Sequence, residues 1–551
     1  MPMTTTQRRH RRRTVAAVAV LAAASMLMAG CSGGGKNAAA NAARFELTAN
    51  SAKPSGSIDS FTWAIYAEPA SLDYTHAFDY PDNQVLANVC ESLLRWNSDL
   101  TVSPGLAEKF SNPTPTTWVY EIRPNVKFHD GTVLTANDVV ASLDRHLNPE
   151  VGSYWAAVYQ NVSSIKATGP MEVTVTTSKS DALFNNYMAA GPGVIDSAAT
   201  LKKDGANYGN PSTGVNCTGP FSLESWNSGT SITLKKFNDY WDPALVAKAN
   251  SVKFVFLPDS NARVNAMKSG AVDGSWQVPS NAIDQLKSSG QGQILFGTNT
   301  AVISEIVGNT KGVLGDVRVR KALLLALDRK GLVQAAEQGY GTVTNSLTTK
   351  SAWTGVKDDV VNGAFAGLNS YDYNLDAAKK LIAEAGAAGK PVTIVSSNIT
   401  PGLAVTAQAF GAAATSLGLK PTIQSVSPDK FTNLFSDPAA RKGVDLFTTS
   451  WYLSITDPLD MYGVLRTGDF SNYGDWSNKD FDATVNGALE TMDVNARAAK
   501  STEAQKIANA ELPWLPLYET PNNVWLGKKI TGLSPSINFL YYPWAATVGA
   551  K

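Results

Sequence analysis

The fold is decided by the stretch Tyr120–His146, YEIRPNVKFHDGTVLTANDVVASLDRH. Apolar and polar residues alternate from Val119 to Arg123, and this period of two predicts a half-buried strand. Arg123-Pro124-Asn125 predicts a turn after that strand, and Val126 to Phe128 predicts a second, short strand. The first half of the stretch therefore predicts two strands joined by a tight turn.

The second half of the stretch predicts a turn followed by a helix. His129-Asp130-Gly131 is typical of a turn in which glycine supplies a positive φ. Thr135 stands three residues before Asp138, which is capping-box spacing, and apolar residues then repeat on one face: Val139, Val140 and Leu143. His129-Asp130 could instead belong to a metal or phosphohydrolase site, but no partner stands at metal-ligand spacing, so we predict a turn.

These residues, with LAEKF at 106–110 and LTANDVVASLDRH at 134–146, resemble the signature of the extracytoplasmic solute-binding proteins of family 5. These proteins are the peptide- and nickel-type receptors of ABC importers. Further blocks recur in the family's order: TGPF at 218–221, NDYW at 238–241, GDVRVR at 315–320 and LPWLPLY at 512–518. The resemblance implies a two-lobed, periplasmic-binding-protein-like α/β fold with an extra subdomain in the first lobe and a ligand cleft between the lobes.

The resemblance also implies the domain boundaries. We expect a first lobe of residues 57–308 plus 514–551, with an inserted subdomain at about 85–215, and a second lobe of residues 309–513. The chain would cross between lobes near Asn309 and near Trp514, and these two crossings would form the hinge.

The second lobe gives independent support for an α/β fold. Strand PVTIVSS, a helix over 403–417, strand LKPTIQSV, helix PDKFTNLF and strand VDLFTTSW alternate strictly, so we predict parallel pairing through right-handed crossovers. Upstream, Asp316 is predicted to cap one helix that runs to about Gln338.

The N-terminus resembles a bacterial lipoprotein leader. Five Arg residues precede an apolar run, and Met28-Ala29-Gly30-Cys31 ends it, so residues 1–30 are predicted to be a signal peptide and Cys31 the lipidated residue. Residues 31–56 are predicted to form a flexible tether. A plain secretory signal is the alternative, and the paired Arg residues leave both the general secretory and the twin-arginine export routes open. We expect a protein anchored at the outer face of the cell membrane.

Composition narrows the function classes. A chain of 551 residues is too long for one core. Five of its 47 Lys and Arg residues lie in residues 1–30, so the mature chain has 42 basic against 47 acidic residues, and a nucleic-acid partner is not expected. No His follows His146, so a nickel-type site that uses an imidazole of the second lobe is disfavoured, and we expect neither a metal nor a cofactor. Cys90 and Cys217 could form a disulfide, or Cys90 could be a buried free thiol.

The ligand site is expected in the run Trp451–Pro458, WYLSITDP. Peptide-binding members of the family carry an Asp three residues after the Trp, and it pairs with the ligand's α-amino group; here that residue is Ser454. Either another carboxylate takes its place, with Asp457, Asp460 and Glu305 as candidates, or the ligand has no free amine there. Asp457 precedes a proline, and capping or turning the chain is the role we expect for it.

Aromatic side chains and one further acid complete the expected cleft: Tyr452, Trp353, Trp476 and Glu68, together with Trp451. A single Trp is more often core than ligand platform, but a group of them after strands suits stacking against side chains or sugar rings.

The leading hypothesis is a monomeric, lipid-anchored receptor that binds an oligopeptide or peptide-like solute and delivers it to an ABC permease and its ATPase. The same fold could instead bind an oligosaccharide, an opine or a metal chelate, or sense a signalling peptide. A secreted hydrolase is disfavoured because neither Gly-x-Ser-x-Gly nor His-Glu-x-x-His is present, so we expect no catalytic residue.

Overall fold

The computed structural model describes residues 44–397 and 399–551. The predicted signal peptide, Cys31 and the first part of the predicted tether lie outside the described residues. No helix within the described ranges has the length and apolar character needed to span a bilayer.

The described residues contain twenty-one strands. In chain order, β1 to β21 are Ile58–Ile65, Leu94–Trp96, Val102–Pro104, Ala107–Thr114, Thr117–Ile122, Val162–Gly169, Glu172–Thr177, Phe221–Asn227, Ser231–Lys236, Ala249–Phe256, Gly274–Trp276, Gly292–Gly297, Val302–Val307, Thr342–Val343, Pro391–Ser397, Lys420–Val426, Leu446–Trp451, Trp514–Glu519, Asn522–Gly527, Ile530–Thr531 and Gly549–Ala550.

Fifteen α-helices accompany them in the same ranges. In chain order, α1 to α15 are Tyr80–Val89, Ala136–Asp144, Phe184–Tyr187, Ala198–Asp204, Ser260–Ser269, Ile283–Ser289, Val317–Leu325, Arg329–Glu337, Asp358–Ala366, Leu375–Ala385, Pro401–Ser416, Pro428–Ser436, Leu459–Gly463, Lys479–Leu489 and Val494–Glu511.

The first lobe is built on a seven-stranded mixed sheet with the order β12-β19-β11-β1-β10-β9-β8. Its strand β1 lies between two parallel neighbours, β10 and β11. Trp63 of β1 is fully buried, and its ring packs against Trp276 and Trp544 at centroid distances of 5.7 and 4.4 Å. Burial of rings of this size stabilises the lobe strongly.

The second lobe is built on a six-stranded sheet with the order β14-β18-β13-β17-β15-β16. Strand β15 is parallel to both β16 and β17, and helix α11 packs across these three strands. The predicted alternation of parallel strands and helices is therefore confirmed.

The predicted crossing points between the lobes need a correction. Strand β13 pairs with β17 and β18, so Val302–Val307 and Trp514–Glu519 both belong to the second sheet, not to the first lobe. The chain therefore crosses in residues 298–301 and 520–521, instead of near Asn309 and Trp514. Hydrogen bonding decides this, because both strands are apolar enough to fit either core.

The inserted subdomain contains a four-stranded antiparallel sheet, β4-β5-β7-β6. The predicted capping box is confirmed at the start of α2, where the Asp138 carboxylate accepts hydrogen bonds from the Thr135 backbone N–H and hydroxyl at 2.9 and 2.7 Å. The strand predicted over 126–128 is wrong: that segment makes only a single bridge, from Lys127 to Val133. His129 lies in a turn, and its Nε2 lies 3.0 Å from the carbonyl oxygen of Gly219.

Two further predictions are corrected by local hydrogen bonds. The helix expected from Asp316 to Gln338 is broken into α7 and α8, because the carboxylate of Asp328 caps a new helix by accepting from the Gly331 N–H at 3.0 Å. The described end of the predicted tether, residues 44–56, is docked on the protein: the Thr48 N–H donates to Phe296 and the Ser55 N–H to Ala550.

Cys90 and Cys217 form a disulfide, which resolves the two alternatives for Cys90. Cys90 is the C-cap residue of α1, so the bond fixes the end of this helix to the TGPF block. Next to it, Gly219 donates its N–H to the Val89 carbonyl at 2.8 Å, and a Cβ at position 219 would lie 2.5 Å from that oxygen. Only glycine permits this close approach.

A carboxyl group lies inside the second lobe. Glu305 of β13 is fully buried, and its Oε2 accepts a hydrogen bond from the Thr448 hydroxyl at 2.7 Å, while its Oε1 has no partner among the residues described. Alternate residues on a strand share a face, so Glu305 lies with Ile303 and Val307 in the core beneath the helices. Burial raises the pKa of Glu305 to about 8, so this carboxyl is mainly neutral at pH 7.

We predict that Cys90→Ser combined with Cys217→Ser lowers the stability of the first lobe by about 2–5 kcal/mol, because the unfolded chain regains the freedom of a long loop. Thermal unfolding with and without dithiothreitol measures this effect. The reductant should lower the melting temperature of the wild type but not of the double variant. Equal melting temperatures for oxidised wild type and double variant would contradict the prediction.

We predict that Glu305→Gln reduces the loss of stability as the pH rises from 4.5 to 8. The folded-state pKa, about 8, lies above the ordinary value of 4.5, so the folded protein keeps a proton that the unfolded chain releases. Stability from this group is therefore full below pH 4.5 and is lost as the pH rises to 8, by up to about 1.4 kcal/mol per pH unit.

Urea unfolding at pH 5, 7 and 9 measures the difference between the wild type and Glu305→Gln. The exposed Glu150→Gln is the matched control and should follow the wild type at every pH. A Glu305→Gln curve parallel to the wild type would show that this carboxyl does not titrate differently in the two states.

Candidate functional site

The candidate site lies where the carboxyl ends of parallel strands in the two sheets face each other, which is the usual place for ligands in such sheets. Strand β1 ends beside Tyr66, and β17 ends at Trp451. We call the facing surfaces the interlobe cleft and define it by residues of both lobes: Tyr66, Asp79, Tyr80, Asn83, Tyr187 and Tyr541 from the first lobe, and Trp451, Tyr452, Ser454 and Asp460 from the second.

Tyr452 joins the two sides of the interlobe cleft. Its hydroxyl donates a hydrogen bond to the carbonyl oxygen of Phe78 and accepts one from the Asn83 Nδ2–H at 3.3 Å. Its ring packs edge-on against that of Tyr80, with centroids 5.0 Å apart. Helix α1, which carries Tyr80 and Asn83, therefore holds the loop that follows β17.

Ser454 and Asp460 form a second junction. The Ser454 Oγ accepts from the Tyr541 hydroxyl at 3.3 Å, and the Ser454 N–H donates to Asp460 Oδ2 at 2.7 Å. The other oxygen of Asp460 accepts from the hydroxyl of Tyr187 in the inserted subdomain. Both oxygens of Asp460 are therefore engaged by the protein itself.

Two carboxyl groups of the cleft have raised pKa values. Burial raises the pKa of Asp460 to about 6, and burial also raises the pKa of Asp79. Both side chains nevertheless keep some accessible surface. Burial disfavours the charged form of both carboxyl groups, while the remaining accessible surface lets a solute contact them.

The aromatic wall of the cleft is on the second lobe. Trp451 is half-buried and packs edge-on against Trp514 at 5.1 Å and Tyr473 at 6.4 Å. Tyr473 and Trp514 are themselves buried and stack with planes 8° apart. This wall offers apolar area to a solute side chain.

Asp457 and Trp353 lie together behind the cleft. Asp457 forms a buried ion pair with Arg497 at 2.8 Å and accepts from the Leu459 N–H at 3.0 Å, so its carboxylate bonds to the first residue of α13 and neutralises the arginine. Trp353 lines a gap of about 10 Å³ next to this pair. A space of that size holds about one water molecule and no solute.

The structure places the other expected site residues away from the cleft. Trp476 packs in a helical core against Phe481 at 4.9 Å. Glu68 accepts from the indole N–H of Trp226 at 2.7 Å and from the Gly229 N–H at 2.8 Å, so it ties a loop to the β8–β9 hairpin. Glu305 lies on the helix-covered face of the second sheet, so it does not replace the missing aspartate.

Sequence reasoning missed Asp79 and the other first-lobe residues of the cleft: Tyr66, Tyr80, Asn83, Tyr187 and Tyr541. One signal was present for the first of these: Asp79 precedes Tyr80-Pro81, and Asp followed by Pro is typical of a helix start. Nothing in the sequence pattern says which face of that helix meets the second lobe.

Two other places in the described residues bring polar side chains together. A depression of about 560 Å³ lies at the amino ends of β15 and β17, beside Lys390 and Asp445. The Asp445 carboxylate already accepts hydrogen bonds from Asn309 and Thr393. Within the described ranges one group of three potential metal ligands converges, Cys90, Asp196 and Cys217. Its two sulfur atoms form the disulfide, so no thiolate is offered.

This chain is similar to known proteins in both sequence and fold. The model for bacterial extracellular solute-binding proteins, family 5 (middle), matches residues 101–473. The glutathione-binding protein GsiB of Salmonella paratyphi A is 26% identical over 490 residues, 87% of this chain and 93% of that protein. GsiB of Escherichia coli K12 is 24% identical over 489 residues, 87% of this chain and 93% of its own length.

Solved structures share the fold. The Helicobacter pylori periplasmic binding protein DppA, in complex with the peptide STSA, has a TM-score of 0.80 at 18% identity, covering 90% of this chain and 98% of its own. AgaA of A. tumefaciens R10, in complex with agropinic acid, has a TM-score of 0.79 at 23% identity, covering 89% and 99%. AppA of Bacillus subtilis, in complex with a nonapeptide, has a TM-score of 0.79 at 20% identity, covering 91% and 100%.

The match over residues 101–473 agrees with the two-lobed fold and with a cleft at the carboxyl ends of the parallel strands. This chain belongs to the bacterial extracellular solute-binding proteins of family 5, extracytoplasmic proteins that bind solutes for ABC permease and ATPase complexes.

Proposed function

We propose that this chain is the lipid-anchored receptor of an ABC importer that captures an oligopeptide or peptide-like solute between its lobes. One observation carries the proposal. The cleft is closed by direct hydrogen bonds between lobes, at Tyr452 and at Asp460, and beside them it presents both an apolar wall and acceptor groups. A peptide has backbone and side-chain groups that suit both kinds of surface.

Capture requires no bond chemistry. The lobes are joined through two short segments, 298–301 and 520–521, which is the arrangement that permits hinge closure around a ligand. In this mechanism the solute first meets one open lobe, and closure then forms the Tyr452 and Asp460 junctions. The free energy of closure comes from burial of the solute together with these hydrogen bonds.

Anchoring completes the proposal. Cys31 is the lipidated residue, residues 1–30 are removed, and the monomeric receptor stays at the outer face of the cell membrane near its permease. Incorporation of labelled fatty acid into the wild type but not into Cys31→Ser tests this assignment, and equal labelling would contradict it.

The relatives support a peptide ligand in particular. The curated relatives are named glutathione-binding proteins, and two of the solved structures contain peptides. Glutathione is therefore the first solute to test, followed by ordinary tri- to pentapeptides.

A second candidate ligand is a solute without a free amine, such as an opine or an oligosaccharide. Ser454 favours it, because a serine hydroxyl that accepts from Tyr541 supplies no charge for an ammonium group. A desolvated ammonium without a carboxylate costs several kcal/mol. The solute-binding relative with agropinic acid shares the fold and gives this candidate a defined probe.

We predict that free-amine peptides stabilise the protein and that oligosaccharides do not. The chain trimmed to start at Ser32 is unfolded and refolded to remove carried solute, and melting temperatures are recorded with glutathione, tri- to pentapeptides, agropinic acid and oligosaccharides. Ligand at a hundred times its dissociation constant adds about 2.7 kcal/mol. Stabilisation by agropinic acid or a sugar alone would replace the peptide assignment by the second candidate.

We predict that Tyr452→Phe weakens peptide binding by about 2- to 12-fold, because closure loses one hydrogen-bonding hydroxyl while the ring contacts remain. Isothermal titration calorimetry measures the dissociation constant, and the variant's melting temperature without ligand shows whether it is folded. Tyr373→Phe, at an exposed residue of the second lobe, is the control. An unchanged constant for Tyr452→Phe would exclude this hydroxyl from closure.

A further inference from the structure

Two acceptor side chains stand one turn apart on α1 and its cap. Asp79 is the N-cap residue, and Asn83 follows four positions later, so both lie on the same face of the helix. Tyr452 of the second lobe contacts this face. The face is therefore part of the interlobe cleft and comes from the first lobe.

Asp79 has one engaged and one available oxygen. Its Oδ1 accepts from the Tyr66 hydroxyl at 2.9 Å and from the Tyr80 N–H at 2.8 Å. No hydrogen bond from the described part of the chain reaches Oδ2. The Tyr452 hydroxyl donates to the carbonyl oxygen of Phe78, the residue that precedes Asp79, so the second lobe contacts the chain next to this carboxylate.

Asn83 gives the second, independent observation. The side chain is fully buried, and its Nδ2 donates to the carbonyl of Phe78 at 3.2 Å and to Tyr452 Oη at 3.3 Å. Its Oδ1 has no partner among residues 44–397 and 399–551. A buried amide oxygen without a donor costs about 1–3 kcal/mol, so a solute N–H at this place would be favoured.

The other acids near the cleft are already engaged. Both oxygens of Asp460 accept hydrogen bonds, from Tyr187 and from the Ser454 N–H. Asp82 is buried, and its Oδ1 accepts from the Ala70 N–H at 2.6 Å, so burial keeps this side chain from a solute. Of the two carboxylates that define the cleft, Asp460 and Asp79, Asp79 is the one with an oxygen that accepts no hydrogen bond from the described residues.

We propose that Asp79 and Asn83 bind the ammonium group of the solute from the first lobe, in place of the second-lobe carboxylate that Ser454 does not supply. This inference rests on the proposed peptide function and names its substrate class: solutes with a primary ammonium group. The ammonium donates to Asp79 Oδ2 and Asn83 Oδ1, and the second lobe then closes over it through Tyr452.

The test is a calorimetric titration of the wild type and of Asp79→Asn with glutathione, with a free-amine tripeptide and with the N-acetylated form of each. Asparagine keeps the N-cap and the acceptor for Tyr66 but removes the charge, so the fold is preserved. Free-amine ligands should bind Asp79→Asn about 10- to 100-fold more weakly, while the constants of the acetylated ligands should stay unchanged. Asp99→Asn, at an exposed turn of the first lobe, is the matched control.

Within one variant, we divide the dissociation constant of the acetylated ligand by that of the free-amine ligand. This ratio separates recognition from folding, because a misfolded site loses both ligand forms together. An unchanged ratio in Asp79→Asn, or a ratio that changes only in Asp460→Asn, overturns this inference and leaves the peptide function standing. Wild-type protein that binds neither form of any peptide overturns the peptide function, and this inference with it. Asn83→Ala should lower the same ratio, and no change there would remove Asn83 from the subsite.

Discussion

The rest of the structure depends on the antiparallel pairing of β13 with both β17 and β18. Every residue of β13 is buried, and the strand lies in the middle of the second sheet. Through β17 it is joined to the parallel strands that carry α11, and through β18 it is joined to the chain that returns to the first lobe. This pairing fixes where β17 ends, and with it the position of Trp451 and Tyr452 opposite α1.

Much of this architecture could be predicted from the sequence because the hydrophobic pattern and the cap and turn residues indicate the same elements. Short strand segments alternate with helices over residues 391–451, and the Thr135 capping box marks one helix start without ambiguity. The lobe boundaries could not be placed in the same way. The apolar residues of 302–307 and 514–519 would suit either core, and only hydrogen-bond partners decide between them. The helix start at Asp328 could not be predicted either, because the residues on both sides of it follow a helical pattern and only the hydrogen bond to the Gly331 N–H reveals the cap.

The site was less accessible to sequence reasoning than the fold. The family motif predicted Trp451, Tyr452 and Ser454 at the end of a strand, and β17 ends there, because this placement depends on chain order alone. Trp476 and Glu305 have the right residue types, yet their side chains point into cores, and direction is set by packing rather than composition. The available carboxylate at Asp79 is visible only when the hydrogen bonds of each oxygen are compared.

The disulfide at the end of α1 makes the redox state of the compartment part of ligand recognition. The helix that presents Asp79, Tyr80 and Asn83 is held at its last turn by a covalent bond to Cys217. Protein folded in a reducing cytoplasm has the same amino-acid sequence but lacks this bond, and its recognition helix is held by non-covalent contacts alone. Affinities should therefore be measured on samples in which the bond between Cys90 and Cys217 has formed, since only these contain the recognition helix as the structure shows it.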